Sequence, residues 1–268
     1  MSRISSIFTA VALSALFAWP PTPAPAQVAD LSEIVEVRLL DGWRRADGRH
    51  MTAVEIRMAP GWKTYWRRPG VGGIPPVMEL SVEEYQMHWP RPDVFYVGGM
   101  RSIGYADYVL LPVEFSIADG VQTVSGQIEI GVCLDICVPV VLPLAATLPD
   151  TAQPDPRIIG ALSDRPLSGA DIGAGTPICS IRPISDGLRV EVRIPMPDVG
   201  GGEEVVFELP DPSIWISDPS TTRDGSTLVA SADIVPADAS PFALDRSDLR
   251  ITVLGARDAV ELVGCHAG

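Results

Sequence analysis

Apolar and polar positions alternate with a period of two along most of the chain. Val35-Glu36-Val37-Arg38-Leu39 and Val54-Glu55-Ile56-Arg57-Met58 are the first such runs, and Asp47-Gly48 lies between them as a hairpin signal. Short apolar runs follow at 109–115 and 128–132. The pattern stops in DTAQPDPRIIGALSDRPLSGADIGAGTP, residues 150–177, which is rich in Pro, Gly, Asp and Ala. It resumes in Leu188-Arg189-Val190-Glu191-Val192-Arg193-Ile194, then at 214–216, 249–253 and 260–263. Many short alternating strands broken by Gly and Pro predict an all-β chain of antiparallel sandwiches. The expected division is a first sandwich over 27–150, a linker over 151–177 with a turn or two of helix near 157–162, and a second sandwich over 178–268. The alternative is one large sandwich with a long crossing loop.

The first 26 residues, MSRISSIFTAVALSALFAWPPTPAPA, differ from all of this. They carry one charge, Arg3, then an apolar run over 7–19, then Ala24-Pro25-Ala26 as a small-x-small site. The run is shorter than the ~20 residues a membrane span needs. The expectation is a secretory signal cleaved near Ala26 and a mature chain exported to a periplasm. Removing it takes the formal charge from −14 to −15, because Arg3 leaves and no acid does. Lys63 is the sole lysine and the arginines are scattered, so there is no basic stripe and nucleic acid is not an expected partner.

Four cysteines remain: Cys133, Cys137, Cys179 and Cys265. An even number in an exported chain suggests two disulfides, and spacing favours Cys133–Cys137 and Cys179–Cys265. In the chain-entropy model, closing the loop from 179 to 265 stabilises by about 4.6 kcal/mol and closing the loop from 133 to 137 by about 2 kcal/mol. Cys179–Cys265 therefore reads as a structural disulfide that joins the first and last strands of the second sandwich. The short loop, GVCLDICVP (131–139), reads equally as a redox pair or as a local staple. Asp135 inside it would disfavour a thiolate if close to the sulfurs, and Val132, Leu134, Ile136 and Val138 would raise a thiol pKa by desolvation. A metal clip would have an incomplete ligand shell, because His50, His88 and His266 are distant in sequence and read as packing or surface residues. No metal site and no cofactor are expected.

The segments GWKTYWRRPG (61–70), DVFYVGG (93–99), IGYADYVLLPV (103–113) and GVCLDICVP (131–139), in that order, resemble the periplasmic N-terminal domain of DsbD, the transmembrane thiol–disulfide reductant transporter, and most closely the branch that includes the copper-tolerance relative ScsB. The likeness covers about 30–147. It implies an immunoglobulin-like sandwich, with Cys133 and Cys137 as the exchanging pair and Cys137 forming the mixed disulfide with partners. It also implies a cap loop in which Phe95 and Tyr96 cover the disulfide, with Gly98-Gly99 letting the loop move. The alternative for Phe95 and Tyr96 is ordinary core packing. Trp62, Tyr65 and Trp66 read as core or sheet-surface residues rather than site residues.

The loop between the cysteines is shorter here than in the best-known DsbD. The chain to Gly268 shows neither that family's eight-helix transporter nor its thioredoxin-like domain, so the resemblance implies a free-standing module. The implied function is relay of reducing equivalents from a separate DsbD- or CcdA-like membrane transporter or a thioredoxin-like protein to periplasmic disulfide proteins, a protein-disulfide reductase-like activity. Two other functions are compatible with the sequence: a non-catalytic exported protein-binding module, and a copper-handling protein using the soft thiolate pair.

Overall fold

The computed structural model describes residues 31–97, 99–118, 120–150, 153–238, 240 and 242–268. The expected signal, 1–26, and Gly98 of the cap loop lie outside the described residues. The chain is all-β, with two immunoglobulin-like sandwiches of two sheets each.

After a short helix α1 (Leu31–Ile34), the first sandwich runs β1 (Val35–Leu39), β2 (Trp43–Arg44), β3 (His50–Met58), β4 (Lys63–Tyr65), β5 (Val77–Leu80), β6 (Tyr85–Met87), β7 (Asp93–Val97), β8 (Met100–Ala106), β9 (Tyr108–Phe115), β10 (Thr123–Cys133) and β11 (Cys137–Thr147). One sheet has the order β1-β3-β9-β6, with β2 also on β3. The other has the order β11-β10-β4-β8-β7, with β5 also on β10. The two alternating runs at the start pair as expected, Val37 opposite Ile56, but the Asp47-Gly48 turn closes the smaller β2–β3 hairpin instead. Val54, Ile56, Leu111, Val113 and Phe115 of one sheet bury against Ile128, Ile130 and Val132 of the other.

Strand β3 alternates in sequence yet is buried on both faces. The reason lies in the segment expected as a linker. Asp155 caps helix α2 (Pro156–Ser163) by accepting from the Arg157 N–H at 2.8 Å, and Pro156 opens its first turn. The helix seats Ile158 among Trp43, Met51, Ala53 and Leu110 on the outer face of β3 and β9. Glu55 on the same face has a fully covered side chain ringed by Arg38 (2.7 Å), Arg57 (2.6 Å) and Arg157 (3.3 Å). Burial pushes its pKa up, but Arg57 and Arg38 outweigh burial and hold it below the ordinary carboxylate value. Ile158→Ala is expected to destabilise the protein by about 2–4 kcal/mol, because the pocket it leaves is walled by sheet and cannot collapse. Denaturant unfolding measures this, and a loss below ~1 kcal/mol would mean that the helix only rests on the sheet.

The rest of that segment belongs to the second sandwich. There β12 (Leu167–Ser168) pairs in parallel with β20 (Ala259–Val263), and Ser168 and Asp171 cap each other across a short 3-10 turn. The other strands are β13 (Ile178–Pro183), β14 (Leu188–Pro195), β15 (Glu204–Glu208), β16 (Ile214–Ile216), β17 (Ser220–Asp224), β18 (Thr227–Pro236), β19 (Arg250–Leu254) and β21 (His266–Ala267). The sheets are β12-β20-β19-β15 and β16-β18-β14-β13-β21, with β17 also on β18. Val190, Val192, Ile194, Phe207, Ile251 and Val253 lie in the core between them. Cys179 at the start of β13 is bonded to Cys265, just before β21. Val206, Leu254 and Ala259 of this sandwich are buried in the core cluster of the first, so the two halves pack directly together.

Candidate functional site

The second bonded pair closes the longest hairpin of the molecule. Strands β10 and β11 pair without a break from Thr123 opposite Thr147 to Cys133 opposite Cys137. The cysteines are therefore direct cross-strand neighbours, with Cα atoms 4.1 Å apart. Only Leu134, Asp135 and Ile136 lie beyond them.

Sheet order makes the two sulfurs unequal. Strand β10 lies between β11 and β4, with Lys63 opposite Cys133, whereas β11 is an edge strand. Cys133 is fully buried and Cys137 is half-exposed. Of the apolar neighbours expected to desolvate the pair, only Val132 is buried. Leu134, Val138 and, at 76 % exposure, Ile136 form an apolar rim around the opening instead, because the tight loop turns them outward. Asp135 is also exposed.

Tyr65, expected to be a core or sheet-surface residue, belongs to the site. Lys63 and Tyr65 are two apart on β4 and so share one face. The Tyr65 ring lies over Gly131, where a Cβ atom would come within 3.0 Å of it. From there its hydroxyl oxygen stands 2.8 Å from Cys137 Sγ and 3.1 Å from Cys133 Sγ, placed to donate its one proton to either sulfur. Thr64 Oγ1 donates to the Gly131 carbonyl at 2.9 Å and fixes β4 to β10 at this point. Burial pushes the Tyr65 pKa up from its ordinary value, so the hydroxyl stays protonated through neutral pH. A glycine two residues before Cys133, and an aromatic on an alternating strand, were the sequence signals for this contact. They did not say that the two strands adjoin.

Phe95 and Tyr96 of β7 point different ways, as neighbours on a strand must. The Lys63 ammonium sits 5.6 Å from the centre of the Phe95 ring and donates to the Gly61 carbonyl at 3.0 Å, which puts half-buried Phe95 on the Lys63 side. Tyr96 is 64 % exposed and lines a cleft shared with Met100, Glu203, Glu204 and Asp218 of the hairpin and the second sandwich. Trp66 is fully buried in the core and Trp62 packs partly buried against it. Buried His50 and partly buried His88 lie away from the hairpin, His50 Nε2–H donating to the Asp41 carbonyl and His88 facing Glu114. Among the described residues no group of three or more His, Cys, Asp or Glu could hold a metal ion, and no helix is long and apolar enough to cross a membrane.

Comparison with known proteins matches residues 36–149 to the family "Thiol:disulfide interchange protein DsbD, N-terminal". Among solved structures, the N-terminal periplasmic domain of ScsB from Proteus mirabilis superposes with a TM-score of 0.63 at 22% identity, over 87% of this chain and 92% of that one, so the likeness of fold spans both sandwiches. A secreted serine protease, VesC from Vibrio cholerae, aligns at a TM-score of 0.25 and 9% identity, over 89% of this chain and 52% of that one, which carries no argument. No curated protein matches the chain. The first sandwich thus matches a thiol–disulfide interchange family over residues 36–149. More narrowly, it is a DsbD N-terminal-like domain.

Proposed function

We propose that the protein is a periplasmic thiol–disulfide exchange protein that relays reducing equivalents through Cys133 and Cys137. The donor is a DsbD- or CcdA-like membrane transporter or a thioredoxin-like protein, and the acceptors are periplasmic disulfide proteins. In this reading the signal 1–26 is cleaved near Ala26, the redox sandwich is 27–150, and Cys179–Cys265 is the structural disulfide of the sandwich 178–268.

The observation that carries the reading is the asymmetric pair with one hydroxyl between its sulfurs. With the Phe95 hairpin displaced, a donor thiolate can approach half-exposed Cys137, on the edge strand, but not buried Cys133. It forms a bond to Cys137 Sγ, the Sγ–Sγ bond breaks, and the electron pair goes to Cys133 Sγ. A thiolate there, out of water, needs a hydrogen-bond donor, and the Tyr65 O–H is 3.1 Å away. The donor's second thiol then attacks the mixed disulfide and releases Cys137 as a thiol. In the forward half of the cycle Cys137 attacks an acceptor disulfide and Cys133 resolves the product. Phe95, held by Lys63, is the lid over the pair, and a partner displaces it. The apolar rim of Leu134, Ile136 and Val138 gives that partner a surface to seat on. A local staple is the poorer explanation, because the unbroken register of β10 and β11 already holds the two cysteines together.

Cys133→Ser leaves Cys137 able to attack but nothing to resolve the product. Mixed disulfides through Cys137 are expected to accumulate in periplasmic extract and to vanish on adding a reductant, as read by non-reducing electrophoresis. A Cys133→Ser protein that stays free of adducts, in an extract containing oxidised thioredoxin-like proteins, would refute the relay.

A further inference from the structure

Three arginines of the first sandwich reach into the second: Arg91, which donates to the Arg257 carbonyl at 2.8 Å, and Arg67 and Arg101, which lie just beyond β4 and on β8. Arg67 lies two residues beyond Tyr65. Its guanidinium stacks on Trp66 at 4.2 Å, grips Glu208 at 2.8 and 2.9 Å, and meets Glu261 at 2.6 Å. Burial alone would lower its pKa, and the two carboxylates more than reverse that. Arg101 is on β8, directly opposite Tyr96 and next to Ser102, the partner of Phe95. Its side chain is only 8 % exposed. One nitrogen donates to Asp218 Oδ1 and another to the Val205 carbonyl, both at 3.1 Å, while Nε makes a charge contact with Glu204 Oε2 at 3.2 Å. All three partners belong to the second sandwich.

A guanidinium is buried only where acceptors replace its water, and its planar fork then fixes direction as well as distance. The β7–β8 hairpin is otherwise the end of its sheet, since β7 pairs only with β8. Beside the Lys63 contact with Phe95 and the bond from Arg91, just before β7, to the Arg257 carbonyl, Arg101 ties β8 itself to the second sandwich. We propose that the second sandwich is a brace for the redox site, and that Arg101 is the positioning residue through which it keeps the Phe95 hairpin closed over Cys133–Cys137. This rests on the reading of Phe95 as the lid of an exchanging pair. The physical consequence is a closed population larger than strand pairing alone would give. Attack by a thiol too small to push the hairpin aside is slowed by the fraction of time the hairpin is open.

The test frees the hairpin without touching the site. Glu204→Gln with Asp218→Asn keeps the shape of both side chains and removes their charge. Reduction of Cys133–Cys137 by dithiothreitol is expected to become about fivefold faster, the size expected for losing a partly buried ion pair. Amides of β7 and β8 should exchange hydrogen faster, while the potential measured against glutathione stays unchanged, because bond and thiols are the same. Arg101→Lys, which keeps the charge but not the fork, should fall between the two proteins. Phe95→Ala is the control for the lid itself. If it speeds reduction while the charge variant reacts at the wild-type rate, the brace is wrong and the lid stands. If neither variant speeds reduction, the lid reading fails and takes the brace with it.

Discussion

Tyr65→Phe is expected to slow reduction of the Cys133–Cys137 disulfide by an external thiol by about 10- to 100-fold, the worth of one hydrogen bond to a developing thiolate. The substitution keeps the ring over Gly131 and removes only the oxygen that stands 2.8 and 3.1 Å from the two sulfurs. The size of the effect follows from where the charge appears. Cys133 is fully buried, the Tyr65 hydroxyl stands 3.1 Å from its sulfur, and its thiolate is the leaving group. The pH profile separates this from loss of packing. Burial raises the Tyr65 pKa above its ordinary value, so the hydroxyl is a donor over the whole range from about pH 6 to pH 9. The rates of both proteins should therefore rise together with the thiolate fraction of the reductant, with a constant ratio between them. A variant that is reduced at the wild-type rate would leave Tyr65 a space-filling residue and would remove the chemical half of the proposal.

What the sequence made legible was whatever depends on period and order along one strand. The run from Leu188 to Ile194 alternates in sequence, and Val190, Val192 and Ile194 bury as the period requires. The cysteine pairing also follows from spacing, and both disulfides form as expected. What stayed hidden depends on which strands adjoin. Nothing near Cys133 in sequence says that β4 lies beside it, so the hydroxyl of Tyr65 could not be placed on the sulfurs. The inequality of the cysteines has the same origin, because it comes from β11 being an edge and β10 not. In 151–177 the turns of helix expected near 157–162 form as α2, but their docking on the first sandwich and the short 3-10 turn after them stayed hidden for another reason. Asp155-Pro156, Ser168 with Asp171, and Gly173 at a φ of 69° are residues that start and stop short helices, and caps have the same composition as loops. Without a long apolar stripe between them, the single anchor, Ile158, carried no visible pattern.

Removing the two disulfides one at a time should produce unequal losses of stability. Cys179→Ala with Cys265→Ala is expected to cost about 4.6 kcal/mol and to lower Tm by about 10–15 °C, while Cys133→Ala with Cys137→Ala should cost about 2 kcal/mol or less. Loop length sets the first order of the difference, since the sequence separations are 86 and 4 residues. The surrounding pairing widens it. Cys265 leads into β21, which is held to β13 by only two registered positions, Ile178 with His266 and Cys179 with Ala267. Without the bond this last strand frays, and Cys179 and Cys265, both buried, leave a gap in the core. By contrast, the hairpin that ends at Cys133 and Cys137 keeps eleven registered positions whether or not its sulfurs are joined. A bond that adds little to the fold can be opened and closed without unfolding it, so a small loss at 133 and 137 is itself a requirement of the relay. Thermal unfolding of the two double variants decides the matter: equal losses would make both bonds structural, and the exchanging pair would have to be given up.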